Sequence, residues 1–163
     1  MPKKTFLKLD KEKRDRFIQI ALEEFARHNY ENASLNQIAA RLQIAKGSIY
    51  RYFENKKDLF FYLMEHANRK KQESIAEVFK QHYANFFEMF EKIYEAATRF
   101  DLMNPLYSHF LHNIAQERNS EELGNLNLLT KKQGMEYYRG LLRREQANGI
   151  IRQDIDLDLM AFG

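Results

Sequence analysis

The chain has 163 residues with no cysteine, two prolines and six glycines, so disulfides, zinc–thiolate sites and thiol catalysis are excluded and an all-α fold is expected. Its net charge of +3 is uneven: residues 1–60 carry 13 Lys/Arg against 8 Asp/Glu, and the remainder 13 against 15. The N-terminus MPKKTFLKLDK lacks a signal-peptide core and the longest apolar run, Leu59 to Met64, is too short to span a bilayer, which predicts a soluble, cytoplasmic protein with no membrane partner.

Asp10 is placed to cap a first helix running to about His28, with Phe17, Ile20, Ala21, Leu22 and Phe25 as its inward stripe. Ser34 precedes Gln37 by three residues, the spacing of a capping box, and Leu35, Ile38, Ala39 and Leu42 follow at helical intervals. The stripe breaks at Gln43-Ile44-Ala45. In the next segment, Lys46 to Phe53, only Ile49 and Phe53 form an inward pair, which leaves Lys46, Ser48, Tyr50, Arg51 and Tyr52 to face out. An ordinary surface helix fills exposed positions with Glu, Lys and Gln. Two tyrosines flanking an arginine suit phosphates and base edges instead, as in the recognition helix of a helix-turn-helix. Gly47 would let the backbone approach a groove closely. Ser34, and Lys56 with Lys57, would hold phosphates from two helix N-termini. The unbalanced Lys3, Lys4 and Lys8 arm is expected to follow the phosphate backbone.

Asn55 is a plausible cap for a fourth helix carrying Leu59, Phe60, Leu63, Met64 and Ala67, and its pattern extends to about Phe79. No linker separates the halves, so this helix joins the N-terminal three-helix unit, residues 1–55, to a C-terminal helical bundle, residues 56–163. From Phe79 the chain is rich in rings: Phe79, Tyr83, Phe86, Phe87, Phe90 and Tyr94 keep helical spacing as one inward face. Asn104-Pro105 opens a helix with Leu106, Phe110, Leu111 and Ile114. Ser120 caps a long one that runs through Gly134 and Gly140 to a stop at Asn148-Gly149. A further helix begins near Asp154 and halts at Gly163, so the bundle reads as truncated.

The elements Ser34, Ile38-Ala39, Lys46-Gly47-Ser48-Ile49-Tyr50-Arg51-Tyr52-Phe53 and Lys56-Lys57-Asp58-Leu59, with Ala21 to Tyr30 upstream, resemble the tetracycline-repressor (TetR) family over roughly residues 10–65. One departure is Gln43, where the family usually has glycine; a left-handed residue there costs about 1 kcal/mol. The resemblance implies a homodimeric transcriptional regulator, a repressor of a palindromic double-stranded DNA operator, released by a small hydrophobic or amphipathic effector. It also implies an effector pocket in the C-terminal half. Large rings with polar tips suit one: Phe86, Phe87, Phe90, Tyr94, Tyr107, Phe110, Tyr137 and Tyr138, with His109 supplying a tip. The alternative is a nucleoid- or division-type DNA-binding factor with a protein partner and no small-molecule effector. His109 and His112 lie at i, i+3, yet nothing forces a metal there, and no catalytic constellation is present. The expectation is a non-enzyme without cofactor or metal.

Overall fold

Four helix starts follow from a short polar side chain set just ahead of an apolar stripe. Asp10 accepts from the Lys13 amide at 2.9 Å, Ser34 from Gln37 at 3.4 Å, Asn55 from Asp58 at 2.8 Å and Asn85 from Glu88 at 3.0 Å. Each satisfies an amide that the first turn leaves without a helical acceptor. The structure, a computed structural model, describes residues 1–116, 123 and 126–157; the side chains of 126–131, 133, 134, 137 and 138 are outside that description. The described chain is all helical: α1 (Lys4–Leu7), α2 (Lys11–Arg27), α3 (Leu35–Leu42), α4 (Lys46–Tyr52), α5 (Lys56–Ile75), a 3-10 turn (Val78–Lys80), α6 (Phe86–Met103), α7 (Pro105–Gln116) and α8 (Leu126–Ala147).

The α3–α4 turn hinges on Gln43. Its φ of 58° is left-handed, which lets the Ile44 amide reach back to the Ala39 carbonyl at 3.0 Å and turns partly buried Ile44 onto the core. This is the six-to-one closure that normally favours glycine.

One apolar cluster runs through α1 to α5 and continues into α7. Phe110 of α7 is fully buried, with ring centroids 6.5 Å from Phe25 of α2 and 5.7 Å from Phe60 of α5. Asn113 of α7 donates its side-chain N–H to the Ala26 carbonyl at 2.7 Å, satisfying one of the last carbonyls of α2. The N-terminal unit and α7 therefore share a core.

Beyond α5 the structure departs from the expected pattern. The linking helix ends at Ile75, not near Phe79. Ile75, Val78 and Tyr83 turn together into a second, smaller cluster with Met89 and Ile93, and the Tyr83 hydroxyl donates to the Val78 carbonyl at 2.8 Å. That corner resets the helical phase. In α6 the buried face is Met89, Ile93 and Phe100, so the inward aromatic stripe is overturned. Phe87 is 81% exposed, Tyr94 68% and Phe90 46%. The expected start of the last long helix at Ser120 lies outside the described residues. Its described part runs through Gly134 and Gly140 and ends at Ala147, two residues before Gly149, whose φ is +76°.

Replacing Gln43 by glycine should remove the left-handed strain at an exposed position without loss of packing. We expect Gln43→Gly to raise unfolding stability by about 0.5–1 kcal/mol, read from denaturant melts followed by helix signal. A lower or unchanged stability would show that the Gln43 side chain stabilises the turn.

Candidate nucleic-acid interface

Helix α4 is held from one side only. Ile49 and Phe53 are buried at 1% and 0% exposure, which fixes the rotation of a seven-residue helix and turns Lys46, Gly47, Tyr50 and Arg51 to solvent, with Ser48 half-buried beside them. Gly47 has a negative φ, and a Cβ built on it meets nothing within 4 Å. Neither backbone conformation nor internal packing requires glycine there.

Tyr52 is the exception among the residues read as outward. It is half-buried, and its ring packs edge-on against Phe6 and Phe17, each at 5.8 Å. The reason is that α1 folds across this side of α4, an element the sequence pattern did not resolve from a basic tail. Lys3 belongs to that contact and does not extend as a free arm, whereas Lys4 and Lys8 are exposed.

Helix α3 supports α4 from the other flank. The Ser34 amide donates to Glu24 Oε1 at 2.9 Å, which gives the buried Glu24 carboxylate a partner and fixes the start of α3 against α2. Arg41 of α3 hydrogen-bonds Glu23 of α2 and holds its carboxyl below the usual carboxylate range. Of the expected phosphate-holding lysines, Lys56 is half-buried. It donates to the Glu31 carbonyl at 3.0 Å and lies 4.7 Å from the centroid of the Tyr30 ring. Lys57, also half-buried, is next to it at the start of α5.

Among the described residues expected around an effector, Phe86 meets Phe87 at 5.9 Å and Phe90 at 6.0 Å between ring centroids, on the open side of α6 and apart from Phe110. Phe86 is half-buried, and Phe87, Phe90 and Tyr94 point outward from α6. Phe110 is consumed by the core, because its position on α7 faces Phe25 and Phe60. His109 is exposed and Tyr107 half-buried; the side chains of Tyr137 and Tyr138 lie outside the described residues. Among the described residues no group of three or more His, Asp or Glu side chains could hold a metal ion, and no helix there is long and apolar enough to cross a membrane.

Residues 17–63 match the family described as bacterial regulatory proteins, tetR family. An HTH-type transcriptional regulator of Staphylococcus aureus is 42% identical over 55 residues, 34% of this chain and 30% of that protein; the match spans less than a third of the curated relative. The fold of a TetR family transcriptional regulator from Chloroflexus aurantiacus superposes with a TM-score of 0.66 at 28% identity, covering 99% of this chain and 74% of that one. Residues 17–63 are thus similar to the N-terminal region of tetR-family regulators. A second structure, from Syntrophomonas wolfei, has a TM-score of 0.75 at 20% identity over 94% of this chain and 78% of its own, a likeness of fold.

A polar thread behind the exposed face of α4 was not visible in the sequence. The Tyr62 ring packs on Phe53, at the end of α4, at 5.4 Å, and stacks on His66 at 6.2 Å. His66 Nε2 is 3.2 Å from the Tyr107 hydroxyl of α7, and Arg69 Nη2 is 3.4 Å from His66 Nδ1. Since a guanidinium can only donate, Nδ1 accepts and Nε2 carries the proton that is donated to Tyr107. The sole sequence signal was the i, i+4 spacing of Tyr62 and His66 on α5.

Burial lowers the His66 pKa from its ordinary 6.5, and the Arg69 and Lys70 charges lower it further, while Asp15 and Glu73 oppose them. The fold thus favours neutral His66, and the unfolded chain takes up the proton more readily. The stabilisation is complete above about pH 6.5 and is lost as pH falls through the depressed value. His66→Gln should flatten stability against pH below 6.5, checked by melts at stepped pH; an unchanged slope would remove His66 from the acid response.

Proposed function

We propose that this chain is a DNA-binding transcriptional regulator, a homodimeric repressor of a palindromic operator, released by a small hydrophobic or amphipathic effector. Residues 1–55 form the DNA-binding unit, and residues 56–163 the effector and dimerisation half. The observation that carries the reading is the bare outer face of α4. Lys46, Ser48, Tyr50 and Arg51 line a helix whose inner residues fix its rotation, and Gly47 is a glycine that the fold itself does not need. An approaching sugar–phosphate backbone would need it. Ser34 and Lys57 flank this face at the starts of α3 and α5. Tyr52 and Lys56 act from behind, supporting the helices that carry the contacts.

For the effector, a groove of about 870 Å³ opens between α2, α5 and α7. Its floor includes Ile18, Leu22 and Leu106, its polar tips are Tyr62, His66 and Tyr107, and Arg14 and Arg69 stand on the rim. Asp15, Glu65 and Glu73 also line it, beside Lys11 and Lys70, so cations only narrowly outnumber carboxylates there, and an apolar body with a polar or acidic head placed near Arg14 and Arg69 suits that lining. A molecule there touches both halves, and an effector acts only by preferring one arrangement of them. The outward rings Phe87, Phe90 and Tyr94 are assigned to neither ligand nor DNA.

Gly47→Ala separates the DNA reading from a purely structural role. Alanine at this open helical position should hold or raise thermal stability, by up to about 1 kcal/mol, yet weaken binding to a duplex selected from random sequence by the wild-type chain. Unchanged binding would leave the DNA reading without its main support. Lys46→Ala should lower the slope of log K against log salt by about 0.9, the signature of one lost phosphate contact; an identical slope would take Lys46 off the backbone.

For the groove, Tyr107→Ala should reduce the shift in melting temperature produced by a long-chain carboxylate, with ligand-free duplex affinity preserved. Equal shifts in both proteins would place the ligand elsewhere.

A further inference from the structure

The recognition-type helix α4 has only seven residues and ends without a cap of its own: the chain leaves it through Phe53 in an extended conformation. Its last carbonyls, Tyr50, Arg51 and Tyr52, have no acceptor role inside the helix and should face water. Instead they are met from the far end of the sequence. Lys3 Nζ donates to the Tyr50 carbonyl at 2.9 Å, the Thr5 hydroxyl donates to Arg51, and the Lys3 amide donates to Tyr52 at 2.8 Å. Phe6 anchors the segment: it is fully buried, with its ring 4.8 Å from Phe53, 5.2 Å from Phe17 and 5.3 Å from Tyr62. Lys3 also pairs with Glu54 at 2.7 Å, just past the helix.

From these contacts we infer that residues 3–6 are a capping strap for α4, and that Lys3 and Thr5 are positioning residues for DNA binding that act without touching DNA. This rests on the DNA-binding reading of α4. A basic tail beside such a helix is expected to act by charge on the phosphates. Here the Lys3 ammonium is instead turned to a backbone carbonyl and a carboxylate, and the Thr5 hydroxyl, which carries no charge, makes the neighbouring bond. Because Tyr50 and Arg51 supply both the capped carbonyls and the exposed side chains, the strap sets the direction in which those side chains leave the helix.

The test uses the full chain and a duplex enriched from random sequence by the wild-type protein. Lys3→Met combined with Thr5→Val should weaken binding about five- to tenfold, the effect of losing two modest hydrogen bonds. The salt slope should stay unchanged. Amide exchange at residues 50–53 should quicken while that of α2 holds, and Thr5→Ser in place of Thr5→Val should restore half or more of the loss. Lys8→Met, which removes the same charge without touching the cap, should leave α4 exchange as in wild type. Unaltered exchange in α4, or a slope reduced by about 0.9 in Lys3→Met alone, would overturn the strap. If the double variant fails to fold, exchange in Thr5→Val alone decides. If the wild-type chain enriches no duplex, the DNA reading fails, and exchange still decides whether the segment caps α4.

Discussion

Phe110 is seated between Phe25 and Phe60, and most of the molecule depends on that contact. It joins a helix from the C-terminal half to the two long helices that frame the N-terminal unit. A buried phenyl ring of this kind contributes several kcal/mol, so its removal would cost about 3–5 kcal/mol, a large part of the stability of an ordinary domain. The Asn113 bond to the Ala26 carbonyl adds direction to what packing alone would leave free to slide. With α7 fixed to α2 at two points, its Tyr107 reaches His66 without further adjustment.

The outer face of α4 is a consequence of its inner one. A short helix has little intrinsic stability, so its orientation is borrowed from Ile49 and Phe53 below, from the left-handed Gln43 before it and from the N-terminal segment at its end. Each support is apolar or uses backbone groups. The polar side chains are therefore spared any structural task. Tyr52 marks the limit of that division: its ring packs inward on Phe6 and Phe17, and only Lys46, Ser48, Tyr50 and Arg51 remain uncommitted.

The parts of the fold legible in the sequence were those governed by local rules. Asp10, Ser34 and Asn55 announced three helix starts because capping needs only a short acceptor at a fixed offset. The inward pair Ile49 and Phe53 was legible from its i, i+4 spacing, whereas the left-handed Gln43 was expected from the family resemblance, which has glycine there. What failed depended on partners far along the chain. In α6 two stripes compete, Phe86-Phe90-Tyr94 and Met89-Ile93-Phe100, and both have helical spacing. The first stripe drew the reading by its rings; the second is the one buried, and Met89 and Ile93 pack on the corner built by Ile75, Val78 and Tyr83. Lys3 read as a free cation because its acceptor, the Tyr50 carbonyl, is 47 positions away and has no side-chain signature. Lys56 likewise read as phosphate-facing because its acceptor, the Glu31 carbonyl, leaves no mark in the sequence.

The family match stops at residue 63, yet the packing that stabilises the matched segment does not. Phe60 lies inside the recognisable region and its partner Phe110 lies well outside it. Cutting the chain where similarity ends would expose the sides of Phe25 and Phe60 that Phe110 now covers. The matched segment and the unit of folding thus have different borders. On α7 the exposed His109 and His112 take no part in that packing, whereas Phe110, Asn113 and Ile114 tie the C-terminal half to the N-terminal one.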